Sequence, residues 1–400
     1  MRPLLPFFLA TALPSLALDI QIDYTYDTAN FFDTQEKRDA MEAVAKFYGD
    51  LLQDNLLRID SSDFTSTSTW TATFTNPATG GTVQLSNPII PEDTIIVYVG
   101  ARNLSGNTRG RGGPGGFGAS GPSSWLDRVL GRGQAGAEFR QADADLRTDI
   151  GLWGGSVTFD LDSNWNFSLE ENQSGVEFLK IALHEMGHVL GLGPSDPWDN
   201  LLANGTFTGP ASIASNGSAP PADSGHFQGD LDSPRYGSFG TSHGTPRPVL
   251  MLPSSTDNGS NFDVITDLDL AGLIDIGWEV AVPAPFEVLA LSPAEASFQW
   301  PSSSFCSYRV RRTTDLQNPN GSSSLFTGDG SLQSWSDPSP AATAAFYQLE
   351  VTSNNALAKT KAVAQKKRQG DDESFETIEQ AERFASGCYC QHPHEHDGHE

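Results

Sequence analysis

Cysteine is scarce in this 400-residue chain. There are three, Cys306, Cys388 and Cys390, and none in the first 300 residues. Most of the chain must fold without disulfides, and the odd count leaves at least one thiol without an intrachain partner. Basic residues are also few: 24 Lys and Arg face 50 Asp and Glu, a formal net charge of −26. That balance argues against nucleic acid as a partner, because phosphate backbones select basic surfaces. It fits a soluble, self-repelling protein or one that tolerates divalent cations. Long apolar runs are missing as well. The nearest is Leu4 to Leu16, interrupted by Pro6 and Pro14 and too short to span a bilayer. Arg2 precedes it, and Ser15 and Ala17 supply small residues at a cleavage site, so residues 1–17 read as a secretory signal peptide. The expected product is secreted (extracellular, periplasmic or held at a cell surface) with no membrane span after signal removal.

What is present is a chain with 38% hydrophobic residues, enough to bury a core. Ile20, Ile22 and Tyr24 alternate as in a strand. Met41, Val44, Ala45, Tyr48, Leu51 and Leu52 recur at helical spacing and predict a helix within 34–57. Residues 68–75, 94–100 and 154–161 have strand composition. The glycine-rich stretch 105–121 lacks the Gly-Lys-Ser/Thr ending of a phosphate loop and is expected to be a flexible surface loop. Ser174 to Glu177 has the form of a capping box opening a helix that runs to about Leu190. Residues 193–260 are loop-like. Thr266 and Asp269 cap a last helix ended by Gly277. This order predicts an α+β domain over 18–281, with a mixed sheet and its key helix behind it. Alternating runs over 285–352 predict a small all-β, sandwich-like domain. Residues 353–400 form a charged, Cys/His-rich tail, expected to be mostly disordered, in which 374–385 could form a short amphipathic helix.

The chemistry lies in His184-Glu185-Met186-Gly187-His188. Four residues of α-helix turn about 400°, so both imidazoles share one face and can bind one metal. Glu185 is placed beside the remaining coordination position, where a metal can hold a water and a carboxylate can take its proton. The flanking Ile181, Ala182, Leu183, Val189, Leu190 and Leu192 make the helix strongly apolar. Burying such polar groups without a partner is costly, and a metal supplies the partner.

With Gly191 added, the pattern His-Glu-x-x-His-x-x-Gly resembles the metzincin zinc endopeptidases. In most of these a third histidine follows three residues later, but Pro194 stands there. The remaining candidates are His226, His243 and Asp196. The resemblance is closer to leishmanolysin-like peptidases and uncharacterised secreted bacterial relatives with a long insertion before the third histidine. On that resemblance the ligands of Zn2+ are His184, His188 and His226, and Glu185 is the general base. Val249 to Pro253, with Met251, resembles the Met-turn beneath the zinc, and 266–278 resembles the closing helix of the family. The resemblance implies an endopeptidase whose peptide or protein substrate lies extended along a sheet edge, with 154–161 as the candidate edge and Tyr236 as a candidate oxyanion donor.

The tract Cys388-Tyr-Cys390-Gln-His392-Pro-His394-Glu-His396-Asp-Gly-His399 gathers six soft or borderline ligands and is a candidate for extra metal binding. Two non-enzymatic alternatives stand beside the peptidase: a binding or adhesion protein on a zincin scaffold, and a secreted metal-sequestering protein.

Overall fold

A computed structural model describes residues 18–137, 147–167, 175–234, 246–253, 265–280, 287–292, 295–302, 306–313, 322–328, 332–338, 345–353 and 375–380. The expected signal peptide, Tyr236, His243 and the Cys388–His399 tract lie outside them. The described chain is mixed α and β, with several sheets and six α-helices. Among the described residues no helix is long and apolar enough to cross a membrane.

The main sheet has four strands. β1 (Asp19–Asp23), β4 (Thr94–Arg102) and β7 (Gly154–Asp160) run parallel, and β5 (Gly110–Pro114) closes the far edge antiparallel to β7. The order is β1-β4-β7-β5. β4 and β7 are interior strands and read as near-continuous buried runs, as parallel strands covered on both faces do. A second sheet holds the antiparallel strands β2 (Thr69–Thr75), β3 (Thr82–Ser86) and β6 (Gly116–Pro122).

Helices cover the main sheet. Thr34 caps α1 (Gln35–Leu51), which buries Met41, Val44, Ala45, Tyr48 and Leu51. The Tyr48 hydroxyl donates to the Leu183 carbonyl at 3.0 Å, tying α1 to α3 (Phe178–Val189). A second core gathers Trp70 and Phe74 from β2, Tyr98 from β4, Trp153, and Trp125 of α2 (Ser123–Gly131). Phe74 stacks on Tyr98 with centroids 4.1 Å apart.

Three expectations change. The glycine-rich stretch is not a flexible loop, because it supplies β5 and β6. Glycine there serves close approach: a Cβ on Gly115, between the two strands, would lie 2.0 Å from the Trp153 ring. Residues 154–161 do not form an edge, since β7 pairs on both sides and the edge is β5. α3 begins at Phe178, later than expected, and Ser174, expected to open its capping box, lies outside the described residues. Glu177 occupies the N-cap with no side-chain cap bond, and Val176–Glu177 instead pairs with Trp165–Asn166.

The stretch 193–260 carries more structure than its composition suggests. It contains α4 (Asp196–Asn200), α5 (Pro210–Asn216) and short strand pairs. α6 (Asp267–Asp275) follows, with a capping box made by Thr266 and Asp269. Beyond it lie two three-stranded antiparallel sheets within 287–353, where Trp300 and Tyr308 are buried. Residues 375–380 are not helical; they pair antiparallel with β6.

Candidate metal centre

α3 is buried along nearly its whole length, which its run of Ile181, Ala182, Leu183, Met186 and Val189 dictates. His184 and His188 therefore sit in a dry environment. Their Nε2 atoms lie 3.0 Å apart. Each Nδ1 is anchored on a carbonyl, His184 on Leu250 O and His188 on Leu192 O, both at 2.7 Å. Donation from Nδ1 fixes the tautomer that leaves the Nε2 lone pair turned inward.

His226 joins them from a distant part of the chain. The three histidines offer ligand atoms within 4.8 Å of one another, and all three are buried. Its ring lies 4.9 Å from that of His188 and 5.3 Å from that of His184. Its Nε2 is buried with no hydrogen-bond partner.

The intervening loop explains how it arrives. Gly191 and Gly193 have φ of 96° and 92° and turn the chain out of α3. Gly193 meets Gly225 so closely that a Cβ would fall 2.2 Å from the Gly225 carbonyl oxygen. The loop is thus pinched shut at its base, and the residue after Gly225 is His226. Inside the loop Trp198 stacks on Phe207 at 4.3 Å and packs against Phe227. Asp223 accepts from the backbone N–H groups of Gly225 and His226, both at 2.8 Å. Asp275 of α6 accepts from the N–H groups of Ala211 and Ser212.

The turn around Met251 forms the floor. A Cβ on Gly187 would meet the Met251 sulfur at 2.8 Å, so glycine at that helix position makes room for the thioether. The N–H of Phe227 donates to the Met251 carbonyl at 3.0 Å, joining the floor to the segment that carries His226. Asp269 clamps the turn from below. Its carboxylate accepts from the N–H groups of Leu250 and Met251 at 3.0 Å and from Thr266 N and Oγ1. Burial pushes its pKa up to about 6 against the pull of these donors.

Glu185 is fully buried, and β5 lies directly on it. A Cβ on Gly110 would come within 2.6 Å of its Cγ and Oε1, and one on Gly112 within 2.1 Å of its carbonyl oxygen. Burial lowers the pKa of His184 to about 4, that of His226 to about 3, and that of His188 well below the ordinary imidazole value. All three are neutral at physiological pH, the form that ligates metal.

Of the other ligand candidates, Asp196 sits in the first turn of α4 and pairs with Arg147, apart from the histidine cluster. The carbonyls that orient the histidines, the Asp269 clamp and the β5 glycines were not marked by the sequence reading. The alternating glycines of Gly110-Arg-Gly112-Gly113 are the one signal that points to close backbone approach.

The donor set fits a metal on structural grounds. Three neutral imidazoles converge, two are anchored through Nδ1, and the third has an unpartnered buried nitrogen. Three nitrogen ligands leaving one position open suit zinc. The comparisons with known proteins agree. Residues 136–208 match the matrixin peptidase family model, a segment that contains α3 and ends before His226. The chain is 54% identical over 43 residues to matrix metalloproteinase-2 of Drosophila melanogaster, 10% of this chain and 6% of that protein's length. No solved structure matches. Zinc is the metal of the matrixin peptidases, and these local likenesses support a metzincin-type zinc peptidase family for the segment around α3.

Proposed function

We propose that this chain is a secreted zinc endopeptidase in which His184, His188 and His226 hold the metal and Glu185 is the general base. The observation that carries the reading is the convergence of three buried, neutral imidazoles, two of them on the helix that also carries the buried carboxylate of Glu185. Zinc held by these three histidines would supply a water with its pKa lowered to about 7 and a Lewis acid for a substrate carbonyl. Glu185 takes the proton from the attacking water and passes it to the leaving amine. Leu250 O and Leu192 O keep the imidazoles in the ligating tautomer throughout.

The substrate is a peptide or protein segment lying extended on the edge of β5 that no strand pairs with among the described residues, in place of the 154–161 edge the sequence suggested. We assign the catalytic unit to 18–281 and treat 285–352 as an appended β module. The insertion between Gly193 and His226 supports the finer likeness to leishmanolysin-like peptidases.

The test is cleavage of a mixed quenched-peptide library by protein starting at residue 18, beside Glu185→Ala. Zinc-dependent cleavage should fall by roughly 10²–10⁴ in the variant, with zinc content unchanged. A folded, zinc-loaded protein that cleaves nothing would leave a binding protein on the same scaffold.

A further inference from the structure

We propose that the outer edge of β1, with the face of α1 beside it, is a docking site for an extended segment of another protein in which basic and apolar residues alternate. β1 is the edge of the main sheet farthest from β5, so this site is separate from the proposed peptide-cleaving centre. Among the described residues no strand pairs with its outer side. The Asp19 N–H donates to the Asp93 carbonyl at 2.8 Å, toward β4. β1 and β4 then run in parallel register from Asp19 opposite Thr94 to Asp23 opposite Tyr98. In a parallel ladder a residue turns both its N–H and its C=O to one neighbour, and the next residue turns both the other way. The N–H and C=O groups of Ile20 and Ile22 therefore point outward, a ready template for a further strand.

A groove of about 510 Å³ runs beside this edge, between β1 and α1. Glu42, Ala45 and Gly49 line its helix side at three- and four-residue steps. Ala45 and Gly49 are small, and that leaves the space. The groove closes at the Gly49 end. A Cβ there would fall 2.4 Å from the Leu18 carbonyl oxygen, and the Leu18 N–H donates to the Gly49 carbonyl at 3.1 Å. β1 has five residues, about 17 Å of strand, so the groove suits a short extended segment.

Alternation along β1 sets the composition of that segment. Ile20 and Ile22 turn toward the core beneath α1, and Asp19, Gln21 and Asp23 turn to the opposite face. Residues paired across a sheet project to the same face. An added strand thus places every second side chain beside Ile20, Ile22 and Ala45, where apolar groups are buried. The side chains between them lie on the face of Asp19 and Asp23. Glu42 stands exposed at the rim. Among the described residues no cation pairs with these three carboxylates, because Lys46, which also lines the groove, is held by Asp50 at 2.6 Å. Lys or Arg in the incoming strand supplies the missing charge. A second copy of β1 does not, since it would set acid against acid.

The test uses Glu185→Ala protein, so that a probe peptide survives any peptidase activity, and a fluorescent heptapeptide of alternating Lys and Val. It should bind at least about tenfold tighter than a heptapeptide of alternating Glu and Val, or one with its four Lys ahead of its three Val. At nine-tenths occupancy the Ile20 and Ile22 amides should exchange about tenfold more slowly. The Gln21 amide, turned to β4, should not change. Asp19→Lys with Glu42→Lys, both on the surface, should weaken binding about tenfold. Ile22→Pro, which removes an outward donor and leaves the β4 ladder intact, should weaken it as well. Equal binding of the blocked peptide would overturn the proposal, because charge alone would then account for the attraction. So would binding without protection of Ile20 and Ile22, or no binding of the alternating peptide. Protection of these amides in peptide-free protein that is lost on dilution would also overturn it, with a second copy of the chain as the occupant.

Discussion

At the residue scale the site is a problem of unpaired lone pairs. His184 and His188 each commit Nδ1 to a carbonyl, so their Nε2 lone pairs face one another across 3.0 Å. Their spacing made these two and Glu185 legible in the sequence, because a four-residue step on a helix puts both rings on one side. His226 was legible only through the resemblance and the short histidine census, since nothing in its neighbours marks it before the fold brings it in. Burial depresses the pKa of all three imidazoles. As pH falls below about 6.5, the unfolded chain takes up protons that the folded, metal-free protein refuses until about pH 4 or lower. Stability is therefore present above the unfolded pKa and is lost as pH falls through that window, on the order of 1 kcal/mol per histidine for each pH unit. Urea denaturation of metal-free protein at pH 7, 6 and 5 should show the loss, and His226→Gln should make the dependence shallower. An identical slope in the variant would sink this account.

At the element scale, backbone proximity decides more than side-chain chemistry. β5 reaches Glu185 because glycine alternates along it, and Gly112 is the tightest point: an added Cβ would sit 2.1 Å from the Glu185 carbonyl oxygen, a backbone atom that cannot swing away. Gly112→Ala should destabilise the fold by roughly 1–3 kcal/mol through overpacking, read as a lower urea midpoint with the slope unchanged. A midpoint equal to that of the native protein would mean that β5 does not lie so close. The same glycines hid the strand from sequence reading, because glycine is depleted in strands and reads as a loop. The turn around Met251 is a second such element. Asp269 accepts from Leu250 N and Met251 N, and the Leu250 carbonyl anchors His184. Asp269→Asn replaces one acceptor by an amide donor that faces these N–H groups. Zinc affinity should fall about 10–100-fold, as for other groups that orient ligands. Competition against a chromophoric chelator measures it, and unchanged affinity would show that the turn holds itself.

At the scale of the whole molecule the proposed metal would join parts that no covalent link joins. The first 300 residues contain no cysteine, so no disulfide can tie α3 to the loop that brings His226. What closes that arrangement in the metal-free chain is the Gly193–Gly225 contact, the Asp223 turn and the cluster around Trp198. Against these stands the cost of three buried imidazoles turned toward one another. A metal held by His184, His188 and His226 as proposed would convert that cost into bonds among three segments: α3, the end of the insertion and, through Leu250, the floor. Binding to the folded state alone stabilises by RT ln(1 + [L]/Kd), about 4 kcal/mol at a free zinc concentration 1,000-fold above Kd. For a folding unit of a few hundred residues, each kcal/mol moves the midpoint by roughly 2–4 °C. Removing zinc with a chelator should therefore lower the thermal midpoint by about 8–16 °C at that occupancy. His226→Ala should shrink the difference, because the metal then no longer links the insertion to α3. A midpoint that ignores demonstrated removal of zinc would mean that the loop is closed by its own packing, with the metal serving the chemistry alone.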